Sequence, residues 1–436
     1  MKVLIADKFE KVGVDGLKEL GCTVVSQPDV KAEELPAAIR AADPHILVVR
    51  GKKVSGEALK AGTALSLVIR AGAGIDTIDV NTASSLGVFV SNCPGKNSIA
   101  VAELVMGLLL ACDRRIPDQV VELRAGAWNK GEYAKARGLH GRTLGIVGLG
   151  QIGREIALRG RAFGMRVLAW SRNLTHEEAD SLGVAYAQTP LEVARLSDAV
   201  TINVAGNAET KHLVNADFLA AMRPGAYLIN TSRGTVVDEA ALERAVREKG
   251  IRAGLDVFEN EPAGNTGTFS NTIVQAPGVY GTHHVGASTD QAQVAIAHEV
   301  IRIVQTFLAT GEVPNVVNRL ARSSATHVLS IRHRNRPGVL AHVFGVLAGG
   351  AINVEEVENI IYHGAQATLA RIHLDGIPDS GALERIRSGN QDIISVELSE
   401  IDGRAERRKG GRTEGRRDEK ARAGAAHHPD RGKEAT

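Results

Sequence analysis

The sequence predicts an α/β chain in three parts: two successive domains built on parallel sheets, then a smaller α+β domain. Three observations carry this. Short apolar runs alternate with amphipathic helical segments through residues 1–95 and again from residue 141, and strands joined by crossover helices run parallel. A G-x-G-x-x-G pattern at Gly148, Gly150 and Gly153 stands between an apolar run and a helical one. Beyond a small, polar stretch at 315–325 the texture changes, and strand and helix patterns follow in the order β-α-β-β-α-β. The first two parts therefore read as Rossmann-like or flavodoxin-like domains with a cleft between them, and the third as ferredoxin-like.

In the first part, Val3–Ala6, Thr23–Ser26, Ile46–Val49, Leu67–Arg70 and Val88–Ser91 read as strands, with helices such as Lys11–Leu20 and Ala32–Ala41 between them. No glycine fingerprint follows its first strand, so this half is not expected to hold a dinucleotide. The apolar segment Ile99–Cys112 is too short to cross a bilayer and contains Glu103; it reads as a buried helix. The stretch Asp290–Thr310 reads as a long helix, capped at Ser288–Asp290 and stopped by Gly311 and Pro314. It is expected to return to the first part. The expected domains are thus 1–95 with 290–318, then 96–289, then 326–401, with 402–436 a disordered tail of charged and small residues.

The second part is organised around residues 141–175. Thr143–Val147 is a buried strand, Gln151–Phe163 a helix and Met165–Trp170 a second strand. Gly148 allows the tight turn, Gly150 lets a pyrophosphate approach the backbone, and Gly153 lets helix and strand pack closely. Gln151 and Ile152 open the helix, whose N-terminal N–H groups favour phosphate. After the second strand, where an acidic residue would take the ribose 2′-hydroxyl, stand Ser171 and Arg172. The expected cofactor is NAD, and an arginine there keeps NADP open as the alternative. Ala199–Val204, Ala226–Thr231, Ala253–Phe258 and Thr272–Gln275 are the remaining expected strands.

Composition narrows the function. Aromatic residues make up 3% of the chain and net charge is +2, which argues against a nucleic-acid platform or a membrane-surface protein. The three cysteines, Cys22, Cys93 and Cys112, form neither a disulfide framework nor a metal site, so no metal is expected and the setting is read as cytoplasmic.

Three polar segments lie at predicted strand ends: NTSRG at 230–234, DVFENEP at 256–262 and HHVGAST at 283–289. Together they offer a guanidinium, carboxylates and an imidazole. A guanidinium grips a carboxylate with two hydrogen bonds, and a histidine oriented by a carboxylate takes a hydroxyl proton as hydride leaves the same carbon.

GLGQIG, NTSRG, DVFENEP and HHVGAST, in that order, resemble the D-2-hydroxyacid dehydrogenases over about residues 1–318. The resemblance implies oxidation of a small-molecule 2-hydroxy acid, with 3-phosphoglycerate the expected substrate and NAD the acceptor, as the entry to serine synthesis. It makes Arg233 the carboxylate-binding residue, His284 the acid/base and Glu261 its partner. Ser232, Asp256 and Gly286 fall to the cofactor. Arg50, Gly72, Ala73, Asn97 and Ser98 fall to the substrate, with Lys135 a further cation. Two departures stand out: His283 replaces the usual proline before the catalytic histidine, and Asn203-Val204-Ala205 replaces the usual His-x-Pro. IRHRNRPGVLAHVF…AINVEEV resembles an ACT domain, which implies an amino-acid effector, serine, at His333, Asn335 and Asn353, bound between two subunits of a homo-oligomer. The rival readings are an NADPH-dependent hydroxypyruvate or glyoxylate reductase and a dinucleotide-sensing protein without turnover.

Overall fold

The computed structural model describes residues 1–262, 266–320 and 323–401. The 402–436 tail and part of the 315–325 stretch lie outside them. Two compact units are present, Met1–Arg319 and Leu320–Thr436.

The first unit contains two parallel sheets. One has the order β2-β1-β3-β4-β5, from β1 (Lys2–Ile5), β2 (Thr23–Ser26), β3 (Ile46–Val49), β4 (Leu67–Arg70) and β5 (Phe89–Asn92). Side chains alternate across it. Leu4, Leu47 and Val68 face a core with Leu35 and Ile39. Val3, Ile5, Ile46 and Val48 face another with Ile296, Val300 and Ile303. Both faces are covered, which is why its strands are near-continuous apolar runs. The helix Asp290–Thr310 thus lies on this sheet, close to the helix Lys11–Glu19. Gly16 makes room: a Cβ there would run into Ile301.

The second sheet has the order β12-β11-β10-β9-β6-β7-β8. Its strands are β6 (Thr143–Val147), β7 (Arg166–Trp170), β8 (Ala185–Tyr186), β9 (Ala199–Ile202), β10 (Tyr227–Asn230), β11 (Arg252–Leu255) and β12 (Val279–Gly281). The chain enters at β6, fills one side through β7 and β8, and returns to β9 on the other. That reversal leaves a crevice beyond the carboxyl ends of β6 and β9. Thr272–Gln275 is not a strand. It is a 3-10 turn, because Asn271 Oδ1 accepts from Ile273 N–H at 3.1 Å and curls the chain. The ladder with β11 is made instead by Val279–Gly281. The apolar helix Ser98–Arg114 packs on this sheet, with Val105, Leu109 and Cys112 buried. All three cysteines are free and buried.

The second unit has an antiparallel sheet ordered β14-β15-β13-β16, from β13 (His327–Arg334), β14 (Val354–Ile361), β15 (Ala367–Leu374) and β16 (Ile393–Glu400). The helices Val339–Gly349 and Ser380–Ser388 bury Val343, Leu347 and Ile386 against Leu329, Ile331, Ala370 and Ile372. The element order is β-α-β-β-α-β, and this architecture fits an ACT domain. Among the described residues no helix is long and apolar enough to cross a membrane.

Candidate active site

The turn after β6 is shaped as a phosphate cradle. Gly148 has φ +98, and a Cβ there would come within 2.5 Å of the Asn203 carbonyl oxygen at the end of β9. A Cβ on Gly153 would run into the Gly148 carbonyl, whereas Gly150 faces open space. The helix Gln151–Ala162 has no side-chain cap, and its first bond is Arg154 N–H to Gly150 O at 2.9 Å. The N–H groups of Gln151, Ile152 and Gly153 thus lack helix partners and point at the crevice. These residues fit a pyrophosphate. Beyond β7, Arg172 pairs with Glu209 at 3.3 Å, both more than 70% exposed, beside Ser171. Asn203 turns its amide to Thr201 O at 3.3 Å.

The chemistry-bearing loops are built by buried polar residues. Asn230, at the end of β10, donates to Arg233 O at 2.9 Å and accepts from the Ser232 N–H and hydroxyl at 3.0 and 2.7 Å. Gly234 has no room for a side chain, because a Cβ would run into the Phe258 carbonyl. The Arg233 loop is thereby pressed onto the loop that carries Glu261.

Asp256, 1% exposed, follows β11. It accepts from the Thr282 hydroxyl at 2.6 Å and from Val285 and Gly286 N–H at 2.8 Å each, while its carbonyl accepts from His284 N–H at 2.8 Å. Its carboxylate is therefore used to build the histidine loop, and it engages the N–H of Gly286 there. His284 sits at φ +53, a conformation a non-glycine residue holds only when its surroundings impose it.

His284 Nδ1–H donates to Glu261 Oε2 at 2.7 Å, and Glu261 Oε1 accepts from Phe258 N–H at 2.8 Å. This hydrogen bond to Glu261 raises the His284 pKa against the opposing effect of burial. Burial pushes the Glu261 carboxyl up, but the bonds from His284 and Phe258 N–H hold it below the usual range. Arg233 lies close enough to act on both. Nε2 of His284 remains for chemistry. Its neighbour His283 is exposed and has no such partner.

The other side of the site comes from the first sheet. Asp7 Oδ2 accepts from Arg50, Gly51 and Lys52 N–H at 2.7, 3.1 and 3.1 Å and pins the Arg50 loop. The loop after β4 is clasped by two arginines. A Cβ on Gly72 would run into Arg70 and one on Gly74 into Arg233. Gly72 N–H is spent on Arg70 O at 2.8 Å, so it is not free for a substrate carboxylate. The Ala73 carbonyl accepts from Asn92 at 2.6 Å. Asn97 Oδ1 and Ser98 Oγ are buried without partners. Gln151 reaches toward this segment, where a Cβ on Gly95 would overlap its amide. Lys135 instead pairs with Glu132 at 3.0 Å.

Sequence reasoning overlooked Arg70 and Asp76. Burial, then the charge of Arg233, lowers the Arg70 pKa, and its Nε has no partner. Asp76 accepts from Arg233 Nε at 2.8 Å and pairs with Nη2 at 2.7 Å. Both lie in RAGAGID, where the glycines alone drew attention.

In the second unit the three effector residues do not meet. His333 is 2% exposed, donates from Nδ1 to Arg334 O at 2.8 Å, and leaves Nε2 buried without a partner. Asn335 donates to Ala365 O at 3.1 Å, and Asn353 to Glu355 at 2.8 Å. His333 is in register with Thr368, and Val354 with Leu374, so Asn353 is at the other end of the sheet, roughly 20 Å away at 3.3 Å per residue.

The sequence model described as "D-isomer specific 2-hydroxyacid dehydrogenase, NAD binding domain" matches residues 106–286. Over 302 residues the chain is 37% identical to the hydroxypyruvate reductase of Thermotoga maritima, covering 69% of this chain and 96% of that one. The chain belongs to the D-isomer-specific 2-hydroxyacid dehydrogenase family. It therefore carries the family's dinucleotide-binding domain. It is also 37% identical over 320 residues to the D-3-phosphoglycerate dehydrogenase of Methanocaldococcus jannaschii, covering 73% of this chain and 59% of that relative. It spans the same 59% of the Bacillus subtilis enzyme. The NADPH-dependent glyoxylate/hydroxypyruvate reductase of Sinorhizobium meliloti, solved with NADP and malonate, superposes with a TM-score of 0.63 at 32% identity, covering 74% of this chain and 99% of that one.

Proposed function

We propose that the chain oxidises 3-phosphoglycerate to 3-phosphohydroxypyruvate with NAD, the first step of L-serine biosynthesis, in the cytoplasm. The observation that carries the dehydrogenase chemistry is the His284–Glu261 pair at 2.7 Å with Arg233 beside it. Arg233 holds the substrate carboxylate. Glu261 fixes the imidazole with Nδ1–H toward itself, so Nε2 takes the hydroxyl proton in oxidation and returns it in reduction. Gln151, Ile152 and Gly153 hold the pyrophosphate of the dinucleotide, which supplies the hydride acceptor when bound. The phosphorylated substrate is supported by the surplus of cations, Arg50, Arg70 and Arg233, around Gly72–Gly74.

A second reading, an NADPH-dependent hydroxypyruvate or glyoxylate reductase, is favoured by Arg172 beyond β7, where a 2′-phosphate would sit. Initial rates with 3-phosphoglycerate and NAD, against hydroxypyruvate and glyoxylate with NADH and NADPH, separate the two. Turnover of 3-phosphoglycerate is expected; its absence, with NADPH-driven reduction present, would establish the second.

We also infer a homo-oligomer. The helix Ser98–Arg114 buries most of its surface within its own chain but leaves Ile99, Glu103, Gly107 and Arg114 exposed along one face. The helix Ile116–Arg124 buries no residue and exposes Val121 and Leu123, followed by Trp128 at 82% exposure. A serine site using His333, Asn335 and Asn353 together requires two copies of the second unit. Sedimentation of the full chain with and without serine tests both.

A further inference from the structure

We propose that Asp76 is a built-in stand-in for the substrate carboxylate, occupying the fork of Arg233 until a 2-hydroxy or 2-oxo acid displaces it. The inference rests on the reading of Arg233 as the substrate-binding guanidinium. Nε–H and the adjacent Nη2–H form the side fork that a carboxylate grips best, and both converge on one oxygen, Asp76 Oδ2, at 2.8 and 2.7 Å. Nη1 is given to Ser232 O at 2.7 Å. An incoming acid therefore meets a filled fork.

The clasp is built to yield. It uses a single carboxylate oxygen, and Asp76 is 57% and Arg233 34% exposed, so water screens it. A substrate carboxylate brings two oxygens to the same two N–H groups. Asp76 has somewhere to go: its charge already acts on Arg70, a cation whose Nε has no partner. The exchange leaves both arginines neutralised. It also has a mechanical side. Asp76 follows β4 of the first sheet and Arg233 follows β10 of the second, so the clasp ties the two sheets across the cleft. The incoming acid takes over the Arg233 end of that tie.

The test is calorimetric titration of oxalate, an unreactive dicarboxylate, into the full chain saturated with NADH, for the parent, Asp76→Asn and Arg233→Gln. Removing an internal competitor of this exposure lowers the oxalate Kd roughly 2- to 5-fold, and KM for a 2-oxo acid falls with it while kcat does not. Arg233→Gln raises the oxalate Kd about tenfold or more. Asp76→Glu, which restores a competing carboxylate, stays near the parent value, and Asp76→Ser replaces the Asn variant should that fail to fold. If Asp76→Asn leaves oxalate binding unchanged or weaker while Arg233→Gln weakens it, Asp76 merely positions Arg233 and the proposal is overturned with the site intact. If Arg233→Gln leaves oxalate binding untouched, the reading of Arg233 falls, and the stand-in with it.

Discussion

Replacing Glu299 by glutamine tests how the helix Asp290–Thr310 is fastened to the segment that leaves the first sheet after β5. Glu299 lies on the helix Asp290–Thr310, 5% exposed. Three groups converge on it: Lys96 at 3.2 Å, from the segment between β5 and the helix Ser98–Arg114; Arg302 at 2.5 Å; and Asn315 at 2.7 Å. Burial alone would raise its pKa, but these partners hold it at about 2 against an ordinary 4.5. A depressed carboxylate stabilises the fold above its unfolded pKa and loses that contribution as pH falls toward the folded one. At 1.36 kcal/mol per unit the full contribution is roughly 3 kcal/mol at neutral pH. Glu299→Gln keeps an acceptor but loses the charge. Its thermal transition at pH 7 should fall by roughly 4–8 °C for a unit of this size. The gap to the parent should narrow by about 1 kcal/mol by pH 3.5, because the parent is then losing the same interaction. The assay is calorimetric melting of both proteins at several pH values between 7 and 3.5. A gap below about 0.5 kcal/mol at pH 7, or one that does not change with pH, would refute the reasoning.

Four further outcomes are expected. Oxidation should speed up and reduction slow down as pH rises through the His284 pKa, which lies above 6.5. Glu261→Gln removes the hydrogen bond that raises it, so stopped-flow pH profiles should shift to lower pH and kcat should drop roughly 10- to 100-fold; an unmoved midpoint contradicts the pairing. Gly148→Ala places a Cβ at φ +98 and 2.5 Å from the Asn203 carbonyl, which should cost about 2 kcal/mol or more in melting experiments and weaken NADH binding. Arg172→Ala should weaken 2′,5′-ADP binding several-fold and leave 5′-AMP unchanged if a 2′-phosphate sits there; equal effects on both ligands would remove Arg172 from cofactor choice.

Residues whose constraint is local were legible in the sequence. Gly148 and Gly153 are demanded by a turn and a helix approach spanning six residues, and the strand, motif and helix around them carry their own periodicity. The 3-10 turn at Thr272–Gln275 shows the limit: four residues, two of them apolar, suit a short strand equally well, and the Asn271 bond that decided the matter leaves no periodic trace. His333 was legible as a residue type but not as a location, since register alone separates it from Asn353. Arg70, Asp76 and Glu299 were illegible for another reason. A lone charge in a strand, loop or helix is ordinarily solvated, and what makes these different is a neighbouring charge brought in by topology. Asp76 meets Arg233 across 157 positions, because β4 and β10 end on facing sides of one cleft. Asp7 holds the Arg50 loop across 43. The polar groups that align two sheets are thus the ones a single sequence hides, and they are also where substitution should alter binding without touching the glycine motif.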